Sequence, residues 1–66
     1  MTFAENFKRA RKTVGLTQQQ VADALGLERS AIAHYEKGDS MPSLRNILKI
    51  CKLLNMSIEE LLTSSE

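Results

Sequence analysis

The stretch TQQQVADALGLERSAIAHYEKG, residues 17–38, contains two short helical segments on either side of a glycine. Thr17 and Gln20 have the spacing of a capping box, in which each side chain satisfies a free backbone N–H at a helix start. The apolar face of the first segment holds Val21, Ala22 and Leu25. Gly26 follows where a left-handed C-terminal cap belongs, so the next helix must leave at a steep angle.

The second segment is predicted to be a helix from about Glu28 to Lys37, ending at Gly38. Helical spacing places Ala31, Ile32 and Tyr35 on its inward side. The outward side holds Arg29, Ser30, Ala33, His34 and Lys37. This face is short, polar and partly basic, and the small Ala33 in its middle permits close approach. Such a helix fits a major groove about 12 Å wide.

One helix is predicted before this stretch. Thr2 and Glu5 form another capping box, and Gly15 stands where a helix would end. The apolar positions at helical spacing are Phe3, Phe7, Ala10 and Val14.

Two more helices are predicted after a loop over residues 39–42. Ser43 can cap the fourth helix, and Asn55, which tolerates the left-handed conformation, can end it. Its predicted inward positions are Leu44, Ile47, Leu48, Cys51 and Leu54, with Ile50 at the edge. Ser57 and Glu60 form a third capping box and open a short fifth helix with Ile58, Leu61 and Leu62 on one side.

Composition agrees with a small helical domain. The chain has 66 residues, 42 % hydrophobic and 26 % charged, which is ordinary globular composition and leaves no room for a large ligand cavity. No run alternates apolar and polar residues as a strand does. We therefore expect an all-α, compact five-helix bundle forming a single domain over residues 1–66, with a frayed tail at residues 63–66.

Several classes of function are excluded by what the chain lacks. The single cysteine, Cys51, cannot form an internal disulfide or a cysteine-based zinc site. His34 is the only histidine, and no second ligand or nucleophile accompanies it, so we expect no metal, no cofactor and no enzymatic activity. No stretch is long and apolar enough for a membrane span. A cytoplasmic protein without a membrane partner or an evident small-molecule ligand is predicted.

Residues 17–38 resemble the helix-turn-helix of the phage-repressor and Cro type, often called the XRE family. Agreement lies in the small Ala22, the turn glycine Gly26, Ile32 and the run Tyr-Glu-Lys-Gly at residues 35–38. The resemblance continues through the pattern LxxILKICKLLNMSIEEL, which ends at Leu61. It implies a lambda-repressor-like bundle with its helix-turn-helix at about 17–37, whose third helix reads DNA bases.

The resemblance also implies roles for individual residues. Base-reading positions fall on Arg29, Ser30 and His34, and Arg29 has the donors to bind guanine as a fork. Glu28 replaces the small polar cap usual in the family; it either accepts a hydrogen bond from cytosine N4 or has only a surface role. Contacts with the DNA backbone are expected from Thr17, Gln18, Lys37, Ser40, Ser43, Asn46 and Arg11.

Two structural roles complete what the resemblance implies. Arg11 and Glu36 match a salt bridge that joins the first helix to the end of the third, and Gln18 matches a residue that also braces the third helix. Leu53 points away from the inward stripe of the fourth helix, so it is either an isolated exposed leucine or part of a self-association surface. That candidate dimer surface consists of Leu53, Met56, Ile58 and Leu62.

These observations predict a sequence-specific regulator of transcription that binds double-stranded DNA as a homodimer and acts as a repressor. Its two recognition helices would lie about 34 Å apart, in successive major grooves of a roughly palindromic operator. The alternative is a small helical protein-interaction module that keeps the bundle without binding DNA. The polar outward face of residues 29–37 favours the first hypothesis over the second.

Overall fold

A computed structural model of the chain describes residues 2–63. The elements are α1 (Phe3–Val14), α2 (Gln18–Leu25), α3 (Arg29–Lys37), α4 (Leu44–Leu54) and α5 (Ile58–Leu62). No strand occurs in this part of the chain, so the prediction of an all-α bundle is confirmed. None of the helices described is long and apolar enough to cross a membrane.

Side chains just before each helix determine where it begins. The predicted capping boxes at the starts of α1, α2 and α5 are all formed. Ser43 caps α4, because its Oγ accepts a hydrogen bond from the backbone N–H of Asn46 at 3.2 Å. Glu28 precedes α3 without a side-chain cap hydrogen bond, consistent with the poor capping ability of glutamate.

Helices α1 to α4 end in a common way, with one residue in the left-handed conformation at Gly15, Gly26, Gly38 and Asn55. At the turn between α2 and α3, Gly26 has a φ of +71°. The N–H of Leu27 then donates to the carbonyl of Ala22 at 2.9 Å, which closes the end of α2. This short closure brings α3 directly against α2.

The core lies where α1 crosses the other helices. Phe7 is fully buried; its ring stacks on Phe3 with centroids 5.6 Å apart and meets Tyr35 of α3 at 6.4 Å. The remaining fully buried large side chains are Val21, Ile32, Ile50 and Leu61. Helices α2, α3, α4 and α5 therefore each contribute one anchor to the same core, which holds α3 firmly by its inward side.

Helix α4 differs from the prediction in which residues it buries. Leu44 and Leu48 were expected to point inward, but they are 65 % and 49 % exposed, whereas Ile50 is fully buried. The helix is rotated so that its inward stripe is Ile47, Ile50, Cys51 and Leu54. With that stripe against the core, Leu44 and Leu48 lie on a flank that solvent reaches. Val14, at the last position of α1, is similarly half exposed rather than buried.

Asn6 is a buried polar residue that the sequence analysis did not single out. Its side chain is 2 % exposed, and Nδ2 donates to the carbonyls of Leu61 at 3.0 Å and Thr63 at 2.8 Å. Asn6 thus pins the end of α5 to α1. Thr63 also donates its hydroxyl to the Glu59 carbonyl at 2.6 Å, and the frayed tail from residue 63 stays a prediction. Residues 64–66 lie outside the described residues.

Candidate nucleic-acid interface

Helix α3 presents a polar surface on the side opposite the core. Ile32 and Tyr35 are buried, while Ser30, His34 and Lys37 are exposed and Ala33 is half-buried between them. The side chains predicted to read bases therefore face solvent. Because the inward side of α3 is fixed by the core, the outward side has a defined orientation relative to the rest of the bundle.

Gln18, the first residue of α2, makes side-chain hydrogen bonds to both ends of α3. Its Oε1 accepts from Nη1 of Arg29 at 3.1 Å, and its Nε2 donates to Oε1 of Glu36 at 3.1 Å. Arg29 is exposed, yet one of its guanidinium nitrogens is oriented by this contact. The remaining donors of Arg29 stay available for a ligand, because one guanidinium carries five N–H groups.

Arg11 and Glu36 form an ion pair between α1 and α3. Nη2 of Arg11 reaches the second carboxylate oxygen at 3.2 Å, and Nη1 donates to the carbonyl of Leu16 at 2.7 Å. The structure thus brings together the pair that the resemblance implied. Because the Arg11 side chain is buried and engaged on three sides, the geometry favours its structural role over a contact with the DNA backbone.

The electrostatics of Glu36 follow from these contacts. Burial alone would raise the pKa of the Glu36 carboxyl, but the hydrogen bonds from Arg11 and Gln18 and the charge of Arg11 outweigh burial. The pKa of Glu36 is therefore lowered, and the group is a carboxylate at neutral pH. The negative charge of Glu36, near the end of α3, holds Arg11 and Gln18 in place.

His34 has an acidic neighbour just after α3. Its Nδ1 lies 3.4 Å from Oδ2 of Asp39, and both side chains are more than half exposed. This contact was not predicted from the sequence. It follows from the cap at Gly38, where the backbone N–H of Asp39 donates to the carbonyl of His34 at 3.0 Å and brings the two residues together.

Apart from Arg11, the residues predicted to contact the DNA backbone lie near helix ends or in the loop after α3. Thr17 and Ser43 use their hydroxyl oxygens to cap α2 and α4, so their hydroxyl hydrogens remain for another acceptor. Lys37, the last residue of α3, and Ser40 in the following loop are exposed, and Asn46 is half-buried in the first turn of α4.

The four candidate dimer residues are not equivalent. Leu53 and Met56 are half-buried and pack against the core. Ile58 and Leu62 lie one helical turn apart on α5 and are 38 % and 41 % exposed. Of the four candidate dimer residues, only Ile58 and Leu62 therefore offer substantial apolar surface to a partner.

Comparison with known proteins places this bundle in a family. The sequence profile described as helix-turn-helix matches residues 7–61. YqaE of Bacillus subtilis, named an uncharacterized HTH-type transcriptional regulator, is 42 % identical over 60 residues, which cover 91 % of this chain and 52 % of YqaE. The P22 c2 repressor, solved with a synthetic operator, has 25 % identity and a TM-score of 0.89, with 96 % of each chain covered.

The bundle also occurs inside an enzyme. Hydroxypropylphosphonic acid epoxidase from S. wedmorenis has 28 % identity and a TM-score of 0.86, over 97 % of this chain but 34 % of the epoxidase.

The chain belongs to the helix-turn-helix family, and the resemblance read from residues 17–38 is confirmed. The chain spans about half the length of the first curated relatives it matches, 52 % of one and 54 % of the other.

Proposed function

We propose that this protein is a sequence-specific DNA-binding regulator of transcription that inserts α3 into the major groove. The observation that carries the proposal is the exposed polar face of α3, held at a fixed orientation by the buried Ile32 and Tyr35. A helix that is anchored on one side and polar on the other can lie against base edges without loss of core packing. The P22 c2 repressor, whose solved structure contains an operator, supports this reading.

The proposed contacts divide into base-reading and positioning groups. Arg29 binds a guanine through its free donors, and Ser30 and His34 each contribute one hydrogen bond. Glu28, exposed at the start of α3, is the candidate acceptor for a cytosine amino group. Phosphates are contacted by the residues around the helix starts and the following loop, namely Thr17, Gln18, Lys37, Ser40, Ser43 and Asn46.

The regulator is proposed to act as a homodimer. Ile58 and Leu62 supply the apolar contact, and a two-fold axis would set the two α3 helices about 34 Å apart on a roughly palindromic operator. Residues 1–66 act in this proposal as one DNA-binding domain located in the cytoplasm. Occupancy of the operator, without catalysis, would block transcription and make the protein a repressor.

Selection from random duplexes tests the proposal directly. The protein should enrich one motif built from two related half-sites about one helical turn apart. Binding should weaken steeply as the salt concentration rises, because phosphate contacts release counterions. Failure to enrich any sequence over random DNA at low salt would contradict the proposal and favour the rival class, a protein-interaction module. The exposed Leu44 and Leu48 of α4 are the apolar surface such a module would use.

Substitution of Arg29 by alanine tests the recognition face. We expect Arg29→Ala to reduce affinity for the selected duplex by about 1–3 kcal/mol and to relax the preference at one guanine. The matched control is Lys52→Ala, which also removes one exposed positive charge but lies in the last turn of α4. Equal losses for the two variants, measured by titration of labelled duplex, would show that Arg29 acts only through its charge.

A further inference from the structure

The helix cap at Gly38 fixes Asp39 relative to His34. Gly38 has a φ of +84°, and the backbone N–H of Asp39 closes on the His34 carbonyl at 3.0 Å. The same closure leaves Oδ2 of Asp39 at 3.4 Å from Nδ1 of His34. Asp39 therefore contacts His34 twice, once through its backbone N–H and once through its side chain. The turn fixes the backbone of Asp39 beside His34, and the exposed side chain of Asp39 reaches the ring from there.

The chemistry of this contact selects one form of the neutral imidazole. An ionised carboxylate only accepts hydrogen bonds, so the proton must be on Nδ1 of His34 for the contact with Asp39 to be favourable. In a neutral ring the other nitrogen, Nε2, then has a lone pair and no proton. Among the hydrogen bonds of residues 2–63, the His34 side chain takes part only through Nδ1, which leaves Nε2 for a ligand.

We propose that Asp39 is a specificity-determining residue that acts through His34, by holding Nε2 as a hydrogen-bond acceptor on the recognition surface. This inference rests on the proposed binding of α3 in the major groove. An acceptor pairs with bases that offer an amino group there, adenine N6 or cytosine N4, and disfavours the keto oxygens of guanine and thymine. Without Asp39, Nε2 is free to carry the proton, and the same side chain donates to guanine, to thymine O4 or to adenine N7, so cytosine is the base that distinguishes the two forms.

Nitrogen NMR of the free protein tests the first half of the inference without DNA. His34 is the only histidine in the chain, so its two ring nitrogens can be assigned unambiguously. For the neutral imidazole we expect the proton on Nδ1 in the unmodified protein and on Nε2 in Asp39→Ala. Asp23→Ala is the control, since it removes an exposed carboxylate on α2 and should leave the tautomer unchanged. A proton on Nε2 in the unmodified protein would overturn the inference.

Duplex selection tests the second half. The base position read by His34 is identified as the one whose preference disappears in His34→Ala. At that position we expect the preference for cytosine over guanine or thymine to fall about fivefold in Asp39→Ala, the size of one neutral hydrogen bond, whereas adenine can pair with either form. Asp23→Ala should alter overall affinity without changing this preference. If Asp39→Ala instead strengthens binding to all sequences equally, Asp39 acts only through its charge, and the inference is overturned.

The outcomes separate this inference from the proposed function. If the unmodified protein enriches no duplex, the proposed function fails and the specificity role fails with it, while the tautomer measurement still reports on the contact between His34 and Asp39. If the protein enriches a motif but His34→Ala changes no position in it, DNA binding stands and the specificity role is overturned.

Discussion

Glu36 connects α3 to the two helices that precede it. Its carboxylate accepts three hydrogen bonds, two from Arg11 and one from Gln18, and so joins α1, α2 and α3. Glu36→Gln replaces one acceptor oxygen by an amide and leaves the buried Arg11 without a counter-charge. We expect a loss of about 3 kcal/mol in unfolding free energy, measured by urea denaturation. Glu59→Gln, in the exposed face of α5, should change stability by less than about 0.5 kcal/mol.

The lowered pKa of Glu36 predicts that the free energy of unfolding depends on pH. Because the folded-state pKa of Glu36 is lowered from its ordinary value of 4.5, the unfolded state binds a proton more readily, and the carboxylate stabilises the fold fully above that ordinary value. That stabilisation is lost as the pH falls further, through the folded-state pKa. Unfolding free energy should therefore decline between about pH 5 and pH 3 in the unmodified protein and decline less in Glu36→Gln. Parallel pH profiles of the two proteins would contradict this assignment.

The position of most site residues could be predicted from the sequence, but not every hydrogen bond that joins the helices. Arg11 and Glu36 were paired from the resemblance, and Ser30 and His34 were placed outward from helical spacing; both placements agree with the structure. The hydrogen bond from Arg29 to Gln18 was not predicted, because it depends on the angle at which α3 leaves α2. Helical spacing describes one element at a time and carries no information on such angles.

The turn between α2 and α3 depends on a left-handed residue. A Cβ at Gly26 would have no heavy atom within 4 Å outside its immediate neighbours, so the cost of Gly26→Ala is conformational rather than steric. We expect a loss of about 1 kcal/mol in unfolding free energy. Asn55, with a φ of +56°, ends α4 in the same conformation. Asn55→Gly should therefore leave stability unchanged or raise it slightly; a loss equal to that of Gly26→Ala would show that the asparagine side chain matters.

Helix α5 is too short to be stable alone, and Asn6 holds it on α1. Asn6→Ala leaves the carbonyls of Leu61 and Thr63 without their donor and opens a small polar void. We expect a loss of about 2 kcal/mol, with amide exchange accelerated first in α5. Asn46→Ala, a half-buried asparagine in the first turn of α4, is the matched control. Uniform acceleration across all helices in Asn6→Ala would contradict a local role in docking α5.

Helix boundaries were predicted better than helix faces, for a physical reason. A capping box or a left-handed glycine acts within a few residues, so Thr17 and Gly26 mark their helix ends without reference to the rest of the fold. Burial of Leu44 or Leu48 depends on whether another helix lies over that flank of α4, and none does. The predicted and the observed inward stripes of α4 are both apolar, so composition could not distinguish them; the packing of α1, α2 and α5 against α4 decides between them.

The assembly proposed for the whole molecule can be separated from its folding. Leu62→Lys places a charge on the exposed apolar surface of α5, where the fold tolerates it because the side chain is not part of the core. We expect a monomer by analytical ultracentrifugation at concentrations where the unmodified protein is a dimer. Affinity for a two-half-site duplex should fall at least tenfold, since the second half-site no longer binds cooperatively. Leu44→Lys, the same change on α4, should leave both properties unaltered.

Helix α3 carries its core-packing residues and its exposed polar residues on opposite sides, and this has an evolutionary consequence. Ile32 and Tyr35 secure the helix, whereas Ser30, His34 and Lys37 contribute nothing to the core. Exchanges at these three outward positions are therefore nearly neutral for folding, since surface substitutions away from special features seldom matter by more than about 0.5 kcal/mol. In the proposed mode of DNA binding, target preference can therefore change by single substitutions, each of which leaves a stable protein. Arg29 has less of this freedom, because its replacement also disturbs Gln18.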